Sequence, residues 1–351
     1  MKILFTCGTL MHGGAERVIS VLSNELALLG HEVEILLYYK SKVWYELNEQ
    51  VHVKTDPPGN VVKHILFRHN FFSKSKADII ISFLAPVNMV SIVSNMGTGK
   101  KLVVADRSDP RYAPKKFLLR QIRNILYRFA DGAVFQSKNN QEYFSNYVQK
   151  KSTVIYNPVD VGKYKRIALK TQRKDKIVVV GRLIPSKNPF MILDAFLEIL
   201  KDFPTYELSF YGDGSLREEI RIKAAEMGIS DKVNTFGAVK NVFECIMDAK
   251  LYVLTSNYEG MPNSLIEAMC VGIPVISTKV SGAVDLIEND KNGRLIESTD
   301  TKGLISAISD LLSDYDTAIK YAEKAARLNE ELDSKRIAAS WVSYIDKVCN
   351  K

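Results

Sequence analysis

The first forty residues, MKILFTCGTLMHGGAERVISVLSNELALLGHEVEILLYYK (Met1–Lys40), contain two apolar runs separated by a glycine-rich turn and a helical pattern. The apolar runs are Ile3–Cys7 and Val33–Tyr38. Between them, Glu16–Gly30 has apolar residues at helical spacing, and Gly30 stands in the place of a C-cap. Two buried strands joined through a helix form a βαβ unit, and this stretch therefore predicts a parallel sheet.

The same alternation of β-branched runs and helical patterns continues through both halves of the chain. In the first half the further apolar runs are Asp78–Leu84, Leu102–Ala105, Ala133–Gln136 and Val154–Tyr156. In the second half they are Ile177–Gly181, Glu207–Tyr211, Val233–Phe236, Leu251–Ser256, Pro274–Thr278 and Arg294–Glu297. Each half therefore predicts its own doubly wound α/β domain, and such domains bind ligands beyond the carboxyl ends of their strands.

A change in composition marks the join between the two halves. Asn157-Pro158-Val159-Asp160 and the polar, basic stretch Gly162–Lys176 lose the apolar periodicity and predict a linker. The last part of the chain is helical in pattern, with one apolar stripe formed by Trp341, Tyr344, Ile345 and Val348. We predict a first domain at residues 1–160, a second at residues 161–332 and a C-terminal helix at residues 333–351.

Composition excludes several classes of protein. The 351 residues are enough for two domains, and contents of 46% hydrophobic and 25% charged residues are typical of globular proteins. No run approaches the roughly 20 apolar residues that span a bilayer, and the N-terminus predicts a first strand rather than a secretory signal. Four cysteines without a C-x-x-C pair fit a reducing cytosol better than disulfides or a zinc site. The net charge of +8 suits anionic partners, but no motif supports nucleic-acid binding.

The glycine-rich turn Gly8–Glu16 is the first candidate site. Gly13 and Gly14 would let the backbone approach a phosphate, and the helix that follows supplies unpaired N–H groups. The turn is not G-x-G-x-x-G, and the second apolar run ends in Tyr38-Tyr39-Lys40 without an acidic residue for a ribose. These departures count against a dinucleotide oxidoreductase. A plain strand-to-helix turn remains the alternative.

The second candidate is Gly181-Arg182-Leu183-Ile184-Pro185-Ser186-Lys187-Asn188-Pro189. Asn188 is predicted as the N-cap of a helix that begins at Pro189. Arg182 and Lys187 would stand beside that helix N-terminus, where an arginine fork and a lysine point charge suit a diphosphate. The alternative is a solvated pair of charges on a loop.

The third candidate is the run Ser256–Met269, in which a loop with glycine and proline precedes a helix. Asn263 is predicted as the N-cap of this helix, Glu259 lies in the loop and Glu267 lies in the early turns. Because a carboxylate can accept hydrogen bonds from neighbouring sugar hydroxyls, these two groups could hold a ribose and a transferred hexose. The alternative makes Glu259 an exposed loop charge and Glu267 a residue favoured near a helix start.

Taken together, these stretches resemble bacterial glycosyltransferase family 4, whose members have the GT-B fold of two doubly wound Rossmann-like domains facing across a cleft. The resemblance covers almost the whole chain and is strongest at Glu259–Glu267, which is similar to the family's E-x7-E signature. Further matches occur in the expected order at Gly13–Arg17, Asn157–Asp160, Gly181–Leu183 with Lys187, and Gly212-Asp213-Gly214.

The resemblance implies that the C-terminal domain binds a nucleotide sugar, the N-terminal domain binds the acceptor, and the final helix crosses back to the first domain. It implies that Arg182 and Lys187 bind the diphosphate, Glu267 the ribose, and Glu259 the donor sugar or its leaving phosphate. We therefore assign catalysis to Arg182, Lys187 and Glu259. The other residues expected at the donor are Gly13, Gly14, Gly212, Asp213, Gly260, Met261, Pro262, Asn263, Ser264 and Leu265.

One segment departs from the family pattern. Many members carry a histidine after the central strand of the N-terminal domain, whereas here Val103–Pro110 has none. A sub-branch that makes capsule, O-antigen and related surface polysaccharides is similar at this point. Asp106, Arg107 and His12 are the candidates for contacts with the acceptor or the sugar.

The implied activity is transfer of a hexose or N-acetylhexosamine from a UDP-sugar, with retention of configuration, to a lipid-diphosphate-linked glycan. No cofactor or metal is expected, since the D-x-D match Asp314-Tyr315-Asp316 falls in the late helical region and predicts surface charge. Pro114–Ala130 predicts a basic amphipathic helix that could lie on an anionic membrane, with His64–Lys76 adding cations and aromatics. The alternative is a helix packed on the sheet with a charged outer face. The expected location is therefore cytoplasmic and peripheral on the inner face of the cell membrane.

Two other functions remain open at this point. A sugar-nucleotide epimerase or a phosphorylase could share the two-domain fold, and would consume the donor without the glycan acceptor. A noncatalytic two-lobed binding protein would need export, which the N-terminal sequence does not predict.

Overall fold

The computed structural model describes residues 1–11, 13–159 and 172–350. His12 and most of the predicted linker therefore lie outside the described residues. The chain divides into two compact units. The first comprises Met1–Pro158 together with Leu332–Lys351, and the second comprises Val159–Glu331.

The first unit is built on a seven-stranded sheet in the order β3-β2-β1-β4-β5-β6-β7, with every neighbouring pair parallel. The strands are β1 (Lys2–Cys7), β2 (Glu32–Leu37), β3 (His52–Thr55), β4 (Ile79–Phe83), β5 (Lys101–Asp106), β6 (Gly132–Phe135) and β7 (Ser152–Val154). The helices that connect them are α1 (Gly14–Leu28), α2 (Val61–Lys74), α3 (Ala85–Asn95), α4 (Phe117–Leu126), α5 (Lys138–Glu142) and α6 (Asn146–Lys150).

Helix α1 shows how local sequence sets these elements. Its stripe of Val18, Ile19, Leu22 and Leu26 is buried against the sheet. Gly30 has a φ of 83°, a conformation that a glycine adopts without a Cβ penalty. In this turn the Gly30 N–H donates to the Ala27 carbonyl at 2.9 Å and the His31 N–H donates to the Leu26 carbonyl at 3.1 Å. The helix therefore ends in the glycine turn that the sequence predicts.

The second unit is built on a six-stranded parallel sheet in the order β10-β9-β8-β11-β12-β13. Its strands are β8 (Lys174–Val180), β9 (Glu207–Tyr211), β10 (Val233–Gly237), β11 (Ala249–Leu254), β12 (Val275–Thr278) and β13 (Arg294–Ile296). Its helices are α7 (Pro189–Asp202), α8 (Arg217–Glu226), α9 (Val242–Ile246), α10 (Asn263–Cys270), α11 (Ser281–Leu286), α12 (Thr301–Ser313), α13 (Tyr315–Ala325) and α14 (Leu328–Glu331). A 3-10 turn, Pro185–Lys187, precedes α7.

The last helix, α15 (Ser334–Cys349), belongs to the first unit and packs on α1. Its apolar stripe is buried, and the Trp341 ring stacks on Phe83 with centroids 5.9 Å apart. The Tyr344 hydroxyl accepts a hydrogen bond from the Ala133 N–H at 2.9 Å and donates to the Lys151 carbonyl at 2.6 Å. The end of the chain is thus part of the core of the first unit.

Strand β3 and the start of β8 were not predicted from the sequence. The side chains of β3 are exposed or half-buried because the strand lies at the edge of the sheet, so no apolar run marks it. Strand β8 begins at Lys174, within the stretch Gly162–Lys176 that predicts a linker. Its first three residues are polar because they lie at the exposed start of the strand.

Helix α4 is shorter than the predicted helix Pro114–Ala130 and has its apolar side chains exposed. It spans Phe117–Leu126 and continues in a 3-10 turn, Tyr127–Phe129. The side chain it buries is Arg123, which donates to the carbonyls of Pro110 and Ala113. Its apolar side chains are exposed, so the alternative of a charged outer face is wrong. Arg123 is one of the basic residues of this stretch, but it points inward because it donates to carbonyls outside the helix.

Candidate functional site

The loop after β8 carries the two cations that the sequence singles out. Helix α7 begins at Pro189, as predicted, and Asn188 precedes it in a left-handed conformation with a φ of 48°. The Asn188 side chain does not cap the helix, contrary to the prediction, because its amide nitrogen lies 3.6 Å from the Met191 sulfur instead. Lys187 ends the 3-10 turn, and Arg182 is exposed at the start of the loop.

The loop after β11 is bound to the loop after β8 by hydrogen bonds. The Thr255 hydroxyl donates to the Lys187 carbonyl at 3.0 Å, and the Asn257 N–H donates to the Ser186 carbonyl at 2.9 Å. The Thr278 hydroxyl, at the end of β12, donates to the Ser256 carbonyl at 2.6 Å. These bonds connect the carboxyl ends of β8, β11 and β12 to one another.

Lys187 and Glu259 form an ion pair between these two loops. The Ser256 hydroxyl donates to the same carboxylate oxygen, Oε1, at 2.9 Å. The side chains of Lys187 and Glu259 are 23% and 15% exposed, so solvent screens the pair only in part. A phosphate that binds the Lys187 ammonium must therefore share it with Glu259.

Glu267 lies on α10, the helix that follows the loop of Glu259. The helix begins at Asn263, with Pro262 in the N-cap position, so the prediction of Asn263 as the N-cap is wrong by one residue. Glu267 is buried, and Ser264 on the first turn donates to the Val180 carbonyl at 3.0 Å.

The pKa of Tyr252 on β11 is affected by negative charge in this region. Burial raises the pKa of the Tyr252 hydroxyl well above its usual value, and the nearby carboxylates of Glu259 and Glu267 raise it further. The Tyr252 hydroxyl lies 2.8 Å from the Ser264 hydroxyl. The Tyr252 side chain is therefore within electrostatic reach of both Glu259 and Glu267.

The glycines of the second unit mark where loops approach closely. A Cβ on Gly212 would overlap the Gly181 carbonyl, and a Cβ on Gly214 would overlap the Leu183 carbonyl. A Cβ on Gly282 would likewise overlap the backbone of Gly260, next to Met261. These glycines are therefore needed for packing between loops, whether or not they also contact a ligand.

The structure brings together the predicted donor residues of the second unit. They lie in the loops, or in the first turns of the helices, that follow β8, β9 and β11. These residues are Arg182, Lys187, Gly212, Asp213, Glu259, Gly260, Met261, Pro262, Asn263, Ser264, Leu265 and Glu267. Gly13, Gly14, Asp106 and Arg107 belong to the first unit. Their assignment to a ligand, like that of the donor residues, stays a prediction.

In the first unit, Gly13 is the N-cap of α1 and Gly14 is its first residue. The Glu16 carboxylate folds back to the position that a Cβ on Gly13 would take. A negative charge at a helix N-terminus is favourable, and a glycine followed three residues later by glutamate is the signal for it. The sequence analysis did not predict that the Glu16 carboxylate would lie against Gly13.

Asp106 and Arg107 are both buried at the end of β5. The Tyr127 hydroxyl donates to Asp106 at 3.1 Å, and burial raises the pKa of the Asp106 carboxyl. The Arg107 guanidinium lies 5.3 Å and 5.5 Å from the ring centroids of Phe83 and Trp341. Burial lowers the pKa of Arg107 to about 10, which leaves it charged at neutral pH.

A polar cavity of about 300 Å³ opens elsewhere in the second unit, between β13 and α12. Its cations are already paired, Lys279 with Glu297 at 2.5 Å and Arg294 with Asp310 at 2.7 Å. Asp300, a further carboxylate of the lining, caps α12 by accepting from the Gly303 N–H at 2.8 Å. The loop after β8, by contrast, carries the exposed Arg182 in addition to the paired Lys187.

Comparison with known proteins connects this geometry to a family. Residues 12–163 match the family model Glycosyltransferase Family 4, and residues 160–328 match the model Glycosyl transferases group 1. The two models together extend from residue 12 to residue 328, so they take in the sheets of both units.

One relative matches over the full length of the chain, and another matches over little more than half of it. The chain is 28% identical over 362 residues to a Campylobacter jejuni GalNAc-α-(1→4)-GalNAc-α-(1→3)-diNAcBac-PP-undecaprenol α-1,4-N-acetyl-D-galactosaminyltransferase, covering 100% of this chain and 99% of the relative. It is 29% identical over 217 residues to an Escherichia coli UDP-Gal:α-D-GlcNAc-diphosphoundecaprenol α-1,3-galactosyltransferase, covering 57% and 56%.

Among solved structures, Anabaena HepE in complex with UDP matches with a TM-score of 0.80 and 20% identity, covering 99% of this chain and 100% of that one. Sucrose-phosphate synthase from Thermosynechococcus elongatus matches with a TM-score of 0.86 and 18% identity, covering 99% and 98%. These likenesses show the fold, two parallel sheets in the GT-B arrangement of elements. By its family matches and its fold, the chain belongs to glycosyltransferase family 4.

Proposed function

We propose that this glycosyltransferase transfers a hexose or N-acetylhexosamine from a UDP-sugar to a lipid-diphosphate-linked glycan, with retention of configuration, in surface polysaccharide biosynthesis. The observation that carries the proposal is the ion pair of Lys187 with Glu259, held between two loops beside the exposed Arg182. The names of the Campylobacter and Escherichia relatives support undecaprenyl-diphosphate-linked acceptors, and the latter supports a UDP-sugar donor.

In the proposed reaction the donor diphosphate lies against Arg182 and Lys187. Arginine presents a planar fork of N–H donors, and lysine adds a point charge. Negative charge builds up on the diphosphate as its bond to the sugar C1 breaks, and cations that are already in place stabilise it without reorganisation. Since these side chains supply the charge, the reaction needs no divalent metal or cofactor.

The acceptor hydroxyl then attacks C1 from the face that the diphosphate leaves. Its oxygen forms the new bond to C1, and its proton passes to the departing phosphate oxygen, so the products are the extended glycan and UDP. Attack on the same face retains the anomeric configuration. Glu259 would bind hydroxyls of the transferred sugar while it orients Lys187, and Glu267 would bind the ribose.

A panel of nucleotide sugars with EDTA present tests this function. We expect selective binding of one UDP-sugar, lost in Glu267→Ala, and transfer to an undecaprenyl-diphosphate-linked saccharide with the product anomer retained by NMR. Circular dichroism must show that the variant is folded, because Glu267 is buried. Donor consumption without any acceptor would favour an epimerase or phosphorylase. Failure to bind any nucleotide sugar would contradict the proposed donor.

We further propose that α4 holds the protein on the inner face of the cell membrane. Phe117, Leu118, Leu119, Ile122, Ile125 and Phe129 are between 37% and 68% exposed. Lys115, Lys116 and Arg120 are close to them in sequence, and the Arg120 guanidinium donates to the Lys115 carbonyl at 2.9 Å. An apolar face rimmed by cations suits the interface of an anionic bilayer.

The buried Arg123 explains how this face can point outward. Its guanidinium donates to the Pro110 carbonyl at 3.0 Å and lies 5.0 Å from the Phe144 ring centroid. Polar contacts of Arg123 therefore attach α4 to the rest of the first unit, and the apolar side chains of the helix remain exposed and can contact another partner. Within the described parts of the chain, no helix has both the length and the apolar content to cross a membrane.

The double variant Phe117→Glu/Leu118→Glu tests membrane binding. Each side chain contributes about 1.5–3 kcal/mol when it leaves water, so affinity for phosphatidylglycerol vesicles is expected to fall at least ~100-fold. Sedimentation with vesicles measures it. Leu28→Glu/Leu29→Glu is the matched control, because these leucines are equally exposed at the end of α1. Equal losses in both double variants would show that α4 has no special role.

A further inference from the structure

A second exposed apolar surface lies in the first unit, at the carboxyl ends of β1 and β2. Its members are Met11, Tyr39, Val43 and Trp44, each at least 44% exposed. Large apolar side chains grouped on the surface mark binding sites more often than scattered ones do. We call these four residues the aromatic patch. Ligands of doubly wound sheets bind at this end of the strands.

Hydrogen bonds fix the aromatic patch to the loop after β1. The Tyr39 N–H donates to the Gly8 carbonyl at 2.9 Å, and the Trp44 N–H donates to the Leu10 carbonyl at 2.9 Å. The Ser41 hydroxyl accepts from the Leu10 N–H at 3.1 Å. The backbone of Trp44 is therefore tied next to Leu10 and Met11.

The same segment is also tied to the glycine turn and to α1. The Tyr45 hydroxyl donates to the Gly13 carbonyl at 3.3 Å. The Asn24 side chain donates to the Glu46 carbonyl at 2.9 Å and accepts from the Asn48 N–H at 2.7 Å. Bonds on both sides of Trp44 thus hold the backbone that carries the exposed indole, and a backbone that is already ordered lowers the entropic cost of binding.

The chemistry of the aromatic patch suits a sugar. A flat indole gives a large contact area with little conformational freedom to lose. The C–H groups on one face of a pyranose ring can pack on such a surface while the hydroxyls stay in water. Lys40 and Lys42 are exposed in the same segment and would attract an anionic acceptor.

We infer that Trp44 is a stacking platform for a sugar ring of the acceptor glycan, with Tyr39 and Met11 beside it. The inference rests on the proposed function, since it supplies the acceptor subsite of that reaction. A membrane is the other occupant that a tryptophan with lysines would fit. The sugar is favoured because the aromatic patch lies beside the glycine turn, whereas the apolar face of α4 is a separate and larger surface.

Fluorescence isolates Trp44, because the chain has two tryptophans and Trp341 is buried. The probes are the methyl α-glycosides of N-acetylgalactosamine, N-acetylglucosamine, galactose and glucose, as mono- and disaccharides. We expect one of them to protect the exposed tryptophan from acrylamide quenching, with no such signal in Trp44→Phe. Absence of protection by every probe would overturn the inference. Protection by vesicles of phosphatidylglycerol and phosphatidylcholine without any sugar would also overturn it.

Kinetics separate the failure of this inference from the failure of the proposed function. Trp44→Ala is expected to raise KM for the undecaprenyl-diphosphate-linked acceptor about tenfold, with kcat and the affinity for the UDP-sugar little changed. Trp44→Phe should recover most of the affinity, because it keeps a ring. Tyr147→Ala, which removes an exposed aromatic on α6, is the matched control. A normal KM in Trp44→Ala would reject the platform alone, whereas wild-type protein that turns over no UDP-sugar would reject the reaction.

Discussion

Lys187→Ala is expected to lower kcat/KM for the nucleotide sugar by about a hundredfold to a thousandfold, the usual effect of removing one preorganised group from a developing negative charge. The free energy of unfolding should fall by about 1 kcal/mol, because the pair with Glu259 is partly screened by water. Steady-state kinetics and urea denaturation measure the two effects. A large loss of turnover with a small loss of stability is the result that the diphosphate role requires.

A double variant distinguishes binding of phosphate from simple neutralisation of Glu259. If Lys187 serves only to neutralise the carboxylate, Lys187→Ala/Glu259→Gln should be as active as Glu259→Gln alone, because no uncompensated charge remains. If Lys187 binds the diphosphate, the double variant should be at least as inactive as Lys187→Ala. A kcat/KM equal to that of Glu259→Gln would therefore refute the assignment of Lys187.

Lys250→Ala is the matched control for this experiment. Lys250 lies at the start of β11, at the opposite end of the same sheet, and pairs with Asp175 at 2.7 Å. Its side chain is 27% exposed, close to the 23% of Lys187. Loss of this pair should cost as much stability as loss of the Lys187 pair, while kcat/KM stays within about threefold, because the effects of surface pairs are local.

The fold could be predicted because strands of a parallel sheet are covered on both faces. Strand β5, for example, is buried almost throughout and appears in the sequence as the apolar run Leu102–Ala105. Strand β3 could not be predicted, since none of its four side chains is buried and no apolar run marks it. The edge strand β10, whose side chains are mostly half-buried, appears as the run Val233–Phe236. Apolar runs therefore indicate strands with at least half-buried side chains and leave a more exposed strand unmarked.

The orientation of α4 could not be predicted for a different reason. Helical spacing shows that its apolar residues share one face, but it does not show which face meets the protein. The outcome depends on Arg123, which finds the carbonyls of Pro110 and Ala113 in a segment outside the helix. Contacts of that kind depend on the tertiary fold and leave no periodic trace in the sequence.

The sequence could predict which residues are candidates for the site, but it could predict few of the contacts between them. The motifs placed Lys187 and Glu259 in loops after two strands, and parallel strands bring such loops to one edge. Their direct ion pair joins residues 72 positions apart, so no local spacing could indicate it. Likewise, Gly212 was predicted as a donor residue, whereas its close approach to the Gly181 carbonyl depends on the packing of two loops.

Arg182→Ala is the second large effect we expect, a loss of about a hundredfold in kcat/KM for the nucleotide sugar. Arg182 is exposed, and the described part of the chain gives it no ion pair. Its removal should therefore change the free energy of unfolding by less than about 0.5 kcal/mol. Arg221→Ala on α8 is the control, an exposed arginine of the same unit whose loss should leave kcat/KM unchanged.

Arg182→Lys tests whether the planar fork matters as well as the charge. A lysine keeps the charge but cannot bind two phosphate oxygens in parallel, so kcat/KM should recover only in part, to about tenfold below wild type. In Arg182→Ala/Lys187→Ala the combined loss should be smaller than the product of the single losses, because both cations act on one diphosphate. Near-normal turnover in both single variants would remove the electrostatic basis of the proposed reaction.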